Sequence, residues 1–168
     1  ENVPGIIRHD NGKTLKTIIN VMSNLGYDVK YKKLNAVNFF VPQKRKRVII
    51  VGTLPEISFK YPEPFESIVT IREALKNCPQ SEGVEYSKKR KKIYKQVPPG
   101  GYWRDLPEEV QKEFMGKSYN SSGGRTGIAR RMSWDQPCLT LMTTPAQKRT
   151  ERIHPEKSYK LRSHRRHS

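Results

Sequence analysis

The sequence predicts an α/β unit followed by a small, mixed, loop-rich domain. Three observations lead there. Leu15, Ile18, Ile19, Met22 and Leu25 recur on one helical face. The stretch "VIIVG" at 48–52 is a continuous β-branched run, the signature of a strand buried on both faces. Near residue 79 the chain changes character, and turn formers and cations take over.

Each element follows in order. Asp10 or Asn11 can cap a helix over about 12–25, and Gly26 suits its stop. Tyr27, Val29 and Tyr31 alternate with charged residues, as a half-exposed strand does. "VNFFVPQKRKR" reads as a loop interrupted by Pro42, and the β-branched run follows it. Loop, helix, strand, loop, strand is one unit of an α/β sheet. Prolines punctuate 55–64, and "IVTIREALKN" reads as a short helix. "SKKRKK" carries five cations in six residues, and "VPPGGYW" is turn-rich. "LPEEVQKEFM" suits a short helix with Pro107 in its first turn and acids early. "SYNSSGGRTGIARR" is loop-like, and "CLTLMTT" reads as a strand. The expected organisation is one domain over 1–79, a second over 80–157, and a basic tail over 158–168.

The 168 residues suffice for one domain, or for one domain plus part of another. Mean hydropathy is −0.82, so the core is modest. Lysine and arginine total 33 against 16 acids, a formal charge of +17. Such an excess points to a polyanion, nucleic acid first, with a merely basic protein as the alternative. Residues 80–168 hold +11 of that charge. Cys78 and Cys138 stand 60 positions apart with no CxxC pair, so neither a zinc site nor a disulfide framework is suggested. No apolar run approaches a membrane span, and the first residues do not read as a signal peptide. The expectation is a soluble, cytoplasmic protein without membrane partners or a metal site.

Two stretches carry chemistry. In "VPQKRKRVIIVG", Gln43, Arg45 and Arg47 alternate, so an extended backbone points all three one way, and Lys44 and Lys46 the other. Two guanidiniums and an amide on one face suit phosphates or base edges, although a solvated charge run would look the same. "ENVPG" sets the carboxylate of Glu1 ahead of a Pro-Gly turn, where it could protonate or hydrogen-bond a substrate. The tail "SYKLRSHRRHS" reads as a basic arm or a disordered end.

Taken together, "ENVPG", a helix ending in Leu-Gly-Tyr, and "LNAVNFFVPQKRKRVIIVG" resemble the DNA cytosine-5 methyltransferases across residues 1–52. Glu-Asn-Val resembles that family's sixth motif and Gln43-x-Arg45-x-Arg47 its eighth. The resemblance implies the second half of a Rossmann-like methyltransferase domain, joined to a target-recognition domain. It implies double-stranded DNA as partner, S-adenosyl-methionine as cofactor, and a target cytosine flipped out of the duplex. A cysteine thiolate from an upstream Pro-Cys motif attacks C6 in such enzymes, and the methyl group then passes to C5. Carried over, Glu1 holds the N3/N4 edge of the base, Arg47 meets its O2 side, and Arg45 supports the pocket or a phosphate. A carboxyl that donates to N3 must carry a proton, which an apolar pocket favours.

"RRMSWDQPCLTLMTTP" resembles the end of the recognition domain, with Thr140 and Leu141 as its Thr-Leu pair and Arg130 and Arg131 among the DNA-binding candidates. Gly123, Gly124 and Arg125 are candidates for a loop entering the major groove, or form a plain surface turn. Lys88 to Lys92 suit phosphates or solvent better than bases. Cys138 lies in a Pro-Cys pair but in the wrong part of the pattern, so a core role is expected for it. Nothing reads as strand, Gly-x-Gly, helix, so no cofactor-binding residue is assigned in this chain. The expectation is therefore a bacterial, nucleoid-associated restriction-modification methyltransferase represented from Glu-Asn-Val onward, with a frameshift or early end after "ERIHPE" and no activity alone. A DNA-binding module without catalysis, or half of a split enzyme completed by a separate N-terminal chain, are the alternatives.

Overall fold

A computed structural model describes residues 1–78, 86–123, 125–142 and 150–158. The expected basic tail from 159 on, Gly124, and the end of the "CLTLMTT" segment lie outside the described residues. The chain divides into two compact units, Glu1–Ile68 and Val69–Ser168.

In the first unit, helix α1 spans Lys13–Asn24. Its start differs from expectation. Neither Asp10 nor Asn11 caps it: both hold left-handed backbone, φ +48° and +51°, and Gly12 at φ +85° occupies the cap position. Two consecutive residues turning the chain leave neither side chain placed over the first helical amides. The apolar stripe packs as predicted at Leu15, which is buried, with Ile18, Ile19 and Met22 half-buried. Leu25, just past the helix end, is instead 70% exposed. Gly26, at φ +91°, closes the helix, its N–H reaching the Ser23 carbonyl and that of Tyr27 the Met22 carbonyl.

Strand β1 (Asp28–Asn35) pairs antiparallel with β3 (Lys46–Thr53), from Asp28 opposite Thr53 to Asn35 opposite Lys46. Gln43–Lys44 form the short β2. The strand predicted for "VIIVG" thus starts two residues earlier, within the basic run. Of its β-branched residues only Val48 is fully buried, and Ile49, Ile50 and Val51 are half-covered. Helix α1 lies over this pair closely enough that a Cβ on Gly52 would stand 2.6 Å from Met22 Cε. The Tyr61 hydroxyl shares its proton between the carbonyls of Lys30 and Ile49, tying the proline-punctuated segment across both strands.

Among its described residues the second unit holds three short α-helices: α2 (Ile71–Leu75), α3 (Lys88–Tyr94) and α4 (Glu108–Met115). Thr70 and Glu73 cap α2 reciprocally. Ile71 packs with Met132 and Cys138, so the unit begins before the compositional change near 79. The cationic "SKKRKK" forms most of α3, capped by the Ser87 hydroxyl. Its Ile93 and Tyr94 enter the main core with Tyr86, Trp103, Ile128 and Ile153. Cys138–Leu139 form the short β4.

Candidate functional site

The geometry that aims Glu1 begins with its neighbour. Asn2 bridges β3 at Val48: the Asn2 N–H reaches the Val48 carbonyl at 2.9 Å, and the Val48 N–H returns to the Asn2 carbonyl at 2.8 Å. Val48 is wholly buried, which fixes that point of the strand. The Asn2 side chain accepts from the Val3 N–H, and Pro4–Ile7 turns the chain away, burying Ile6. One residue before the bridge on either segment, Glu1 and Arg47 meet. Arg47 Nε donates to Glu1 Oε1 at 2.9 Å, and Arg45 Nη2 reaches the same oxygen at 3.4 Å. Arg47 Nη1 also donates to the Lys46 carbonyl.

Gln43, Arg45 and Arg47 are half-buried, whereas Lys44 and Lys46 are exposed, the alternation that the extended reading required. The Glu1 side chain is 56% exposed, not enclosed in an apolar pocket. Ion pairs this open contribute about 0–1 kcal/mol, so the backbone bridge, more than the charges, sets the geometry. Both guanidiniums lie on Oε1, and Oε2 accepts from no described residue.

The recognition candidates of the second unit fare differently. Arg131 points inward. It is 3% exposed, Nε donates to the Val97 carbonyl at 2.8 Å, and Nη1 to that of His154 at 2.8 Å, with Pro155 and Lys157 further off. Its fork clamps loops of its own unit, so its place is architectural where a DNA-facing one was expected. Arg130 lays its guanidinium 5.5 Å from the centre of the Tyr102 ring. Arg125 is half-buried at φ +43° and gives Nη1 to the Ser118 carbonyl, while Gly123, at φ +86°, is exposed with open space where a Cβ would stand. Thr140 and Leu141 are half-buried, Leu141 against the Ile71–Met132–Cys138 cluster. Burial pushes the Cys138 thiol up to about 11, which leaves it protonated and unsuited to nucleophilic attack.

A residue that the sequence did not single out holds this unit together. Glu151, 1% exposed, accepts from the Tyr94 hydroxyl at 2.8 and 2.9 Å, from the Ala129 N–H at 3.0 Å, and from Arg90 at 3.5 Å. Burial and the adjacent carboxylate raise Tyr94 well above the usual tyrosine range. No spacing signals such a residue, because its partners come from two separate segments, helix α3 and the loop at Ala129.

Among the described residues no group of three or more His, Cys, Asp or Glu stands where a metal ion could be held, and no helix is long and apolar enough to cross a membrane. The model of the family "C-5 cytosine-specific DNA methylase" matches residues 1–166. The chain is 48% identical over 173 aligned positions to the type II methyltransferase M.Eco47II of Escherichia coli, covering 96% of this chain and 42% of that protein. It is 46% identical to the type II methyltransferase M.Sau96I of Staphylococcus aureus, covering 94% and 38%. The chain thus spans about two fifths of the length of these relatives. An E. coli crystal structure described as a DNA modification methyltransferase encoded within a prophage superposes with a TM-score of 0.54 at 19% identity, over 95% of this chain and 54% of that one, a likeness of fold alone. With the family model matched over nearly its whole length, the chain belongs to the C-5 cytosine-specific DNA methylase family.

Proposed function

We propose that this chain carries the base-gripping corner and the target-recognition portion of a DNA (cytosine-5)-methyltransferase of the restriction-modification type, acting on double-stranded DNA at the bacterial nucleoid. The observation that carries the reading is the meeting of Glu1, Arg45 and Arg47 at one carboxylate oxygen. In this reading Glu1 turns its remaining oxygen to the N3/N4 edge of a flipped cytosine, drawing electron density from the ring and making C6 more open to attack. Arg47 holds the carboxylate from behind and reaches the O2 side of the base, and Arg45 steadies the pair or a nearby phosphate. The second unit would supply target recognition, with Gly123, Gly124, Arg125, Arg130, Thr140 and Leu141 as contact candidates, and Gln43 of the first unit would join them.

S-adenosyl-methionine would supply the methyl group in the complete enzyme. The described residues do not fit it: none of them forms a strand opening through a glycine-rich loop onto a helix, and the part of this chain in the reaction is confined to the base. A second chain carrying the nucleophile and cofactor site would complete it in a split arrangement.

The test is methyl incorporation from labelled S-adenosyl-methionine into duplex DNA, using the enzyme that contains this chain. Glu1→Gln should lower the rate by about 10²-fold or more while DNA binding persists, and an unchanged rate would refute the role of Glu1. The 168-residue chain alone should incorporate nothing, and incorporation would refute that part of the proposal.

A further inference from the structure

Helix α3 and the residue that follows it bring six cations into one short segment, but they do not share one environment. Arg90 is drawn toward the core, its guanidinium 3.5 Å from the buried Glu151 carboxylate. Lys89 pairs with Glu113 of α4 at 3.0 Å. Ile93 and Tyr94 are buried. Together Arg90, Ile93 and Tyr94 define the inner face. Lys88, Lys92 and Lys95 lie at spacings of four and three residues, on the face opposite, and all three are exposed. Among the described residues none of the three has an ion-pair or hydrogen-bond partner for its ammonium group. Lys95 keeps helical backbone at φ −59°, ψ −25°, so the row runs unbroken past the helix end.

We infer that Lys88, Lys92 and Lys95 form a phosphate rail that lies along the DNA backbone and binds it without regard to sequence. The inference rests on the proposed DNA-modifying function and adds to it a surface and a mode of contact. The row is about 10 Å long. Duplex DNA presents one phosphate per ~3.4 Å of axis on each strand, so a strand offers about three phosphates over that length. Among the described carboxylates, Glu113 holds Lys89 and Glu151 is buried. Lysine suits the task, since a compact ammonium on a flexible stem meets phosphate as a point charge and reads no base. Because Glu151 also holds the Ala129 N–H, the inner face of α3 and the loop bearing Arg130 share one buried carboxylate. A grip on the backbone would therefore fix the register of that loop.

The experiment is a salt titration of chain binding to a short labelled duplex by fluorescence anisotropy, between about 50 and 200 mM NaCl. The variant Lys88→Gln/Lys92→Gln/Lys95→Gln should lower the slope of log K against log salt by about 2–3, by the same amount on any duplex sequence. The control Lys13→Gln/Lys16→Gln/Lys60→Gln, exposed lysines of the first unit, should lower it by less than 1. Matching thermal melts of both variants and the parent chain will show that the fold is intact. Equal slopes for the two triple variants would overturn the rail while leaving the function standing. Competition by polyglutamate as effective as that by unrelated duplex at equal charge would also overturn it, marking a generic polyanion surface. No salt-dependent DNA binding by the parent chain would overturn the rail, and the function reading would then be judged by the Glu1 assay.

Discussion

His154 shows how a single side chain ties this protein to pH. Burial, aided by Lys157, holds its imidazole below its ordinary value. Nδ1 accepts from the amides of Glu156 at 3.1 Å and Lys157 at 3.0 Å, and the ring stands edge-on to Trp134. The unfolded chain takes up a proton on this histidine near pH 6.5, whereas the folded chain resists until lower pH. The unfolded state thus binds more protons below about pH 6.5. Stability should be level above that value and fall as the pH drops through it, ceasing to fall only once the folded form also titrates. Thermal melts between about pH 7.5 and 5.5 will check this. His154→Asn keeps an acceptor but cannot titrate, so its melting curve should be flatter, and parallel curves would refute the assignment. At this scale the sequence was legible where chemistry repeats along the chain. Alternation placed Gln43, Arg45 and Arg47 on one side, and motif order drew attention to Glu1. It was silent on Glu151 and misplaced Arg131, because a buried polar residue is defined by partners distant in sequence.

Elements were legible in proportion to their apolar periodicity. α1 shows its stripe over three turns and lies where predicted. α3 offers only Ile93 and Tyr94 at its end, so five cations concealed a helix whose inner face is secured by tertiary contacts. The pairing of β1 with β3 could not be read either, since register is a long-range property that no local pattern records. The dependence of α3 on one carboxylate yields a prediction. Glu151→Ala would strand the Tyr94 hydroxyl and the Ala129 N–H in the core, each at a cost of about 1–3 kcal/mol. Urea denaturation should show a loss of about 2–5 kcal/mol, with Glu151→Gln milder because its amide oxygen still accepts. A loss under about 0.5 kcal/mol would show that this carboxylate does not hold the core together.

For the whole molecule the governing quantity is charge. A formal +17 on 168 residues leaves like charges crowded on a small body, and folding brings them closer than the unfolded chain does. Screening should relieve that repulsion, so the melting temperature should rise as NaCl increases from about 20 to 200 mM, over which the Debye length falls below about 10 Å. A melting temperature that falls over that range would mean that attractive pairs such as Arg72–Asp135 outweigh the repulsion. Composition made the proposed polyanion partner legible from the start. The division into units was less so, because the cluster that joins Ile71 to Met132 and Cys138 spans more than sixty positions of sequence.

The bridge between Asn2 and Val48 has a consequence for how the site can change. Glu1 is aimed by two peptide groups, and nineteen of the twenty amino acids carry the N–H that such a bridge needs. Positions 2 and 48 could therefore be rewritten, within what the packing around buried Val48 admits, without turning the carboxylate away from Arg47. Proline is the one residue that would cut the tie at either point. The aim of the site is thus written in the part of the polypeptide that mutation ordinarily leaves untouched.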